Sequence, residues 1–142
     1  MRGALFLVVA GALLSLAIFR GMEPKQVLAA LEAQPVVRRW DVETARARLG
    51  DDLLVVDGRR GVRGARPKGA LVVPFEERRD EPAVLPEGRD VRAVLVVMPA
   101  RRRNDARELA LWLAREWAID EVATLDGGIE AWEAARLPVE GR

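Results

Sequence analysis

The chain has no cysteine and no histidine among its 142 residues, and its one asparagine is Asn104. The missing thiol excludes disulfides, a cysteine nucleophile and lipid attachment at cysteine. Without imidazole there is no histidine general base or metal ligand, and a zinc site of the usual Cys/His kind cannot be built. Net charge of either sign is also scarce. The formal total is +1, so nothing global points to nucleic acid, and a basic feature has to be local. Arginine is plentiful. Depletion of thermolabile residues fits a thermophile, and a high-GC genome would produce the same Arg-, Ala- and Val-rich chain. Half the residues are hydrophobic and 32% are charged, which excludes a disordered or a wholly membrane-embedded protein.

The length suits one domain plus an appendage. Residues 1–22 form the appendage, because residues 3–19 carry no charge and are almost wholly apolar. A helix of that length spans about 25 Å, slightly less than a ~30 Å hydrocarbon core, and Arg20 and Met22 extend it by snorkelling. A single membrane anchor is the favoured reading. A secretory signal cleaved after Val27-Leu28-Ala29 is the second, and a buried soluble helix the third. Arg20, Lys25, Arg38 and Arg39 follow the run and only Arg2 precedes it, so the positive-inside rule places the globular part in the cytoplasm. Export after cleavage is the alternative.

Residues 23–35 read as a linker helix, with Pro24 near its start and Val27, Leu28 and Leu31 on one face. Residues 36–142 alternate strands and helices. Val36–Trp40 reads as an edge strand, and Asp41 caps a helix that runs to Leu49 and ends at Gly50. Leu53–Asp57 and Val94–Met98 are β-branched runs of the kind buried on both faces, and Ala70–Pro74 and Glu121–Leu125 are further strands. Glu76–Asp90 is polar and reads as a surface connection. After Pro99, Asp105 with Glu108 is expected to cap a helix in a variant of the capping box. Asp126-Gly127-Gly128 is a turn into a helix over Ile129–Ala135. The pattern predicts an α/β fold with a parallel sheet of four or five strands, covered on both faces. The loops that begin at Gly58, Pro99 and Asp126 should then share one rim, where open α/β sheets bind ligands.

Three motifs stand in order on those loops. The first is Val55-Val56-Asp57-Gly58-Arg59. The second is Lys68-Gly69-Ala70-Leu71-Val72-Val73-Pro74-Phe75. The third is Leu125-Asp126-Gly127-Gly128-Ile129-Glu130-Ala131-Trp132, followed by Leu137-Pro138-Val139. Together they resemble a rhodanese domain: the strand ending in Asp-x-Arg, the Gly-Ala strand ending in Pro, and the double glycine with tryptophan and a Leu-Pro-Val close. The resemblance covers about Val36 to Glu140 and implies a rhodanese-like fold. It also implies structural roles for Asp57, Arg59, Asp126, Gly127, Gly128 and Trp132. The family carries a persulfide on a cysteine that falls here at Pro99, Ala100 or Arg101. The family's usual histidine falls at Arg66 or Pro67, and the loop after Arg59 is about two residues shorter than usual.

Sulfur transfer needs a thiolate that attacks a donor and passes the sulfur on. No residue here can do so, and the same absence excludes cysteine-dependent phosphatases. The chain is therefore expected not to be a self-sufficient enzyme. Arg101, Arg102 and Arg103, with Arg59 and Arg60 across the rim, are the candidates for holding a small oxyanion or an acidic partner. The alternative for that loop is a solvated segment neutralised by Asp105. Asp57 and Asp126 are too few acids for a metal, so neither metal nor cofactor is expected. Three functions follow: a membrane-anchored, inactive binding or scaffolding module; a sulfurtransferase working with a thiol supplied in trans; and a purely structural domain.

Overall fold

The computed structural model describes residues 23–26, 28, 35–61, 64–81 and 83–141. The chain divides into two compact units, Met1–Gln34 and Pro35–Arg142. The apolar run at residues 3–19 lies outside the described residues. Of the expected linker helix, Pro24–Gln26 and Leu28 are helical. Among the described residues no helix is long and apolar enough to cross a membrane.

The second unit is built on a five-stranded parallel sheet. Its strands are β1 (Val37–Trp40), β2 (Leu53–Asp57), β4 (Leu71–Val72), β5 (Ala93–Val97) and β6 (Glu121–Leu125). They lie in the order β1-β6-β5-β2-β4, which puts the expected edge strand β1 at an edge. A two-stranded antiparallel ribbon joins β3 (Arg66–Pro67) to β7 (Val139–Glu140). Three helices complete the unit: α1 (Val42–Arg48), α2 (Arg103–Trp117) and α3 (Gly128–Ala134).

The two-residue period of the strands sorts side chains onto two faces. On one, Leu54, Val56, Val94, Val96 and Val122 pack with Leu109, Ala110 and Leu113 of α2. On the other, Val55, Leu95, Val97 and Ala123 pack with Ala45 of α1 and with Ile129 and Trp132 of α3. The stripe Ala106, Leu109, Ala110, Leu113, Ala114 has helical spacing and is fully buried, so α2 lies close on the central strands. β2 and β5 are buried along their whole length, as the unbroken apolar runs require.

Three expectations shift. Asp41 does cap α1, accepting from the Thr44 N–H at 2.7 Å. Asp105, however, does not cap α2. That helix starts at Arg103, two residues before the expected cap, because a 3₁₀ turn over Ala100–Arg102 carries the chain straight into it. The Asp105 carboxylate is taken by Arg102 and that of Glu108 by Arg78, so neither serves the helix end. The Ala70–Pro74 strand shortens to Leu71–Val72, although the N–H groups of Val73 and Phe75 still reach the carbonyls of Asp57 and Gly58 at 3.0 Å. The Glu76–Asp90 connection is not all surface. Arg78 is buried, its guanidinium lies 3.8 Å over the Phe75 ring, and it donates to Phe75 O.

Candidate functional site

Parallel strands bring the carboxyl ends of β2, β5 and β6 to one edge. Gly58 N–H donates to Val97 O at 3.3 Å, and Pro99 bridges to Gly128. The loops after Asp57, Met98 and Leu125 therefore meet. Gly58 is packed so closely that a Cβ there would lie 2.8 Å from Met98 Sδ.

The segment from Pro99 to Asp105 is drawn in on itself. Ile129 N–H donates to Met98 O at 3.0 Å and Arg102 N–H to Pro99 O at 2.8 Å. Ala100 N–H donates to Glu130 Oε2 at 2.9 Å. Arg102 is claimed on both sides: its Nε donates to Asp105 Oδ2 at 2.8 Å, and an Nη donates to Glu76. The Arg102 guanidinium is pushed above its ordinary range, first by Asp105 and then by Glu76. The Glu76 carboxyl is held below its ordinary range, first by its own backbone N–H and next by Arg102. Three carboxylates from the protein itself thus occupy the loop.

Arg59 is equally committed. Its Nε and Nη2 bind the Asp57 carboxylate at 2.9 and 2.7 Å, and Nη2 also donates to Ala65 O at 3.0 Å. Asp57 is fully buried, and its hydrogen bonds and then its charge raise the Arg59 guanidinium above its ordinary range. The pair ties the end of β2 to the loop that follows it. Arg60 pairs with Glu77 at 2.7 Å. Of the five candidate arginines, Arg59, Arg60 and Arg102 are in ion pairs. Arg101 and Arg103 are exposed, and among the described residues neither forms one.

The closing motif shapes the rim. Gly127 and Gly128 have φ of 76° and 61°. A Cβ on Gly128 would lie 2.1 Å from Met98 O, and one on Gly127 would lie 2.7 Å from Ala131 Cβ. Trp132 is buried and donates from Nε1 to Pro138 O at 3.0 Å, which holds the Leu-Pro-Val close against α3. Asp126 is exposed and pairs with Arg39 at 3.2 Å. Arg66 pairs with Glu140 at 3.5 Å, and Pro67 lies in β3. Among the described residues no three acidic side chains are grouped to hold a metal ion. Sequence reasoning missed Glu76 and Glu130 as partners of the loop. Glu130 lies two residues past the double glycine, and only the turn geometry aims it at Ala100.

No protein-family model and no curated protein matches this chain. Solved structures do. A rhodanese-related protein from Thermoplasma volcanium superposes with a TM-score of 0.59 at 16% identity, covering 74% of this chain and 99% of that one. The Alr3790 protein from Anabaena sp. superposes with a TM-score of 0.54 at 25% identity, covering 72% of this chain and 80% of that one. The solution structure of the rhodanese-like domain of that Anabaena protein gives 0.54 at 22%, covering 75% and 81%. The architecture is thus a rhodanese-like α/β fold. The chain that adopts it here has no cysteine at the loop or anywhere else.

Proposed function

We propose that the chain is a non-catalytic rhodanese-fold binding module, held at a membrane by residues 3–19, that takes an anion or an acidic segment of a partner protein on its loop rim. One observation carries the reading. The loop after β5 has no thiol and is closed by Glu130, Asp105 and Glu76. Such a loop has no atom to carry sulfane sulfur, and its Ala100 amide already faces a carboxylate. Arg101 and Arg103 stay exposed beside it and supply the charge for an outside anion. The basic residues that follow the apolar run support a module on the cytoplasmic side.

Three measurements test this. Thiosulfate and cyanide should yield no thiocyanate, and thiocyanate that appears on adding a thiol-bearing partner would overturn the non-catalytic reading. A titration with sulfate and with an oligoglutamate peptide should show binding that is lost when Arg101, Arg102 and Arg103 are together replaced by alanine. Binding unchanged by that triple substitution would sink the rim. Fractionation should find the intact chain with membranes, and a soluble product lacking residues before Ala30 would refute the anchor.

A further inference from the structure

Next to the closed loop, on the α2 side of the sheet, lies a cleft of about 500 Å³. Its walls follow from strand period and register. Val37 of β1 packs on the α2 side, so Arg39, two residues on, points to the same side. Val122 of β6 packs there too, and Thr124 follows it. Register sets Arg39 beside Thr124. From above, Arg103 and Arg107 stand one helical turn apart on α2, and the small Ala106 between them leaves the space open. The lower wall is apolar, with Val37, Met98 and Leu125.

Thr124 adds a hydroxyl to the cleft wall. As a whole residue it is only 8% exposed, and it lines the cleft. The charges have a definite balance. Arg39, Arg103 and Arg107 are countered by Asp126 alone, which leaves a surplus of two positive charges. The Arg39–Asp126 pair is exposed on both sides and easily exchanged.

We infer that this cleft binds a small organic phosphate monoester, with Arg39, Arg103, Arg107 and Thr124 on the phosphate and the organic body on the apolar wall. The inference deepens the proposal that the rim takes an anion, and rests on it, while extending the site beyond the loop to Arg39, Arg107 and Thr124. A dianion matches the surplus charge. Donors converge from β1, β6 and α2, and a tetrahedral oxyanion offers acceptors in all those directions where a planar carboxylate offers two. Inorganic phosphate would fill a small part of a volume that lies within the range of about 300–1,000 Å³ usual for small-molecule pockets. The remainder and its apolar wall call for a carbon skeleton.

The test is calorimetric titration of the full-length protein with phenyl phosphate, inorganic phosphate and benzoate. Phenyl phosphate should bind at least about tenfold more tightly than either of the others. Arg39→Ala and Arg107→Ala should each weaken it by about tenfold, and Thr124→Val, which keeps the shape, by several-fold. Asp126→Asn should tighten it. Arg92→Ala, remote and paired with Asp90, should leave it unchanged. Phenyl phosphate no tighter than inorganic phosphate, or Arg39, Arg107 and Thr124 variants that bind like the parent, would overturn the site. Oligoglutamate binding without phenyl phosphate binding would overturn this site and leave the module reading standing. Thiocyanate production would do the reverse.

Discussion

Replacing Gly128 with alanine probes how the loop after β5 is held shut. Gly128 sits at φ +61°, where an alanine costs about 1–2 kcal/mol through contact of its Cβ with its own backbone. The surroundings add more. The new Cβ would lie 2.1 Å from Met98 O, 2.7 Å from Ala100 N and 3.0 Å from Pro99 C, all of them backbone. No side chain can swing aside, so the loop must move by about an ångström or more, a shift that close-packed interiors resist. That movement loosens the Ile129 N–H bond to Met98 O and the Ala100 N–H bond to Glu130. Each is worth about 1 kcal/mol, so the total cost is about 3–4 kcal/mol. Gly69→Ala is the control. Gly69 has φ +71° and nothing within 4 Å of an added Cβ, so it reports the backbone cost alone. Urea unfolding of the full-length chain followed by tryptophan fluorescence measures both, since Trp132 lies in the helix that Gly128 opens. A Gly128→Ala cost no larger than that of Gly69→Ala would refute the tight approach of the two loops.

Four other outcomes can be measured with similar means. Arg59→Ala strands the buried Asp57 charge and should cost about 3 kcal/mol, with a double variant Asp57→Ala/Arg59→Ala costing less than the sum of the singles. Trp132→Ala removes a buried ring and its bond to Pro138 O and should cost about 3–5 kcal/mol by denaturant midpoint. Hydrogen bonds from Thr44, side chain first and backbone second, hold the Asp41 carboxyl below its ordinary 3.8. Its depressed pKa adds stability that is present above that value and lost as pH falls through the lower folded one. Asp41→Asn should therefore flatten the loss of melting temperature on acidification, and an unchanged slope would refute the assignment. Ala100→Cys places a thiol on the loop beside the Glu130 carboxylate, which opposes thiolate formation. It should form no thiocyanate from thiosulfate and cyanide, and turnover would show that loop closure does not block the chemistry.

Much of the architecture was legible from local pattern. Leu53–Asp57 and Glu121–Leu125 are strands as expected, because a short, mainly apolar run between turn signals has few other ways to hide. Asp41 capped its helix because the cap needs only residues three apart. The start of α2 departs from its local pattern for the opposite reason. Asp105 is as good a cap in sequence as Asp41, but Arg102 draws its carboxylate away and Arg78, arriving from 30 residues earlier, takes Glu108. The buried Arg78 was hidden inside a stretch whose composition reads as surface.

The run from Arg101 to Arg103 shows where the two levels part. Composition and periodicity, properties of the chain at short range, give the alternation of strands and helices, the shared rim and the exclusion of thiol chemistry, and the motifs add the resemblance to a rhodanese domain. Which of the arginines is left for an outside anion could not be read that way. It depends on carboxylates at Glu76 and Glu130 that reach the loop from other segments, and on the sheet register that sets Arg39 beside Thr124. Coulomb and hydrogen-bond energies act at those distances and not along the sequence, so only the folded chain sorts three neighbouring arginines into one that is neutralised and two that remain available.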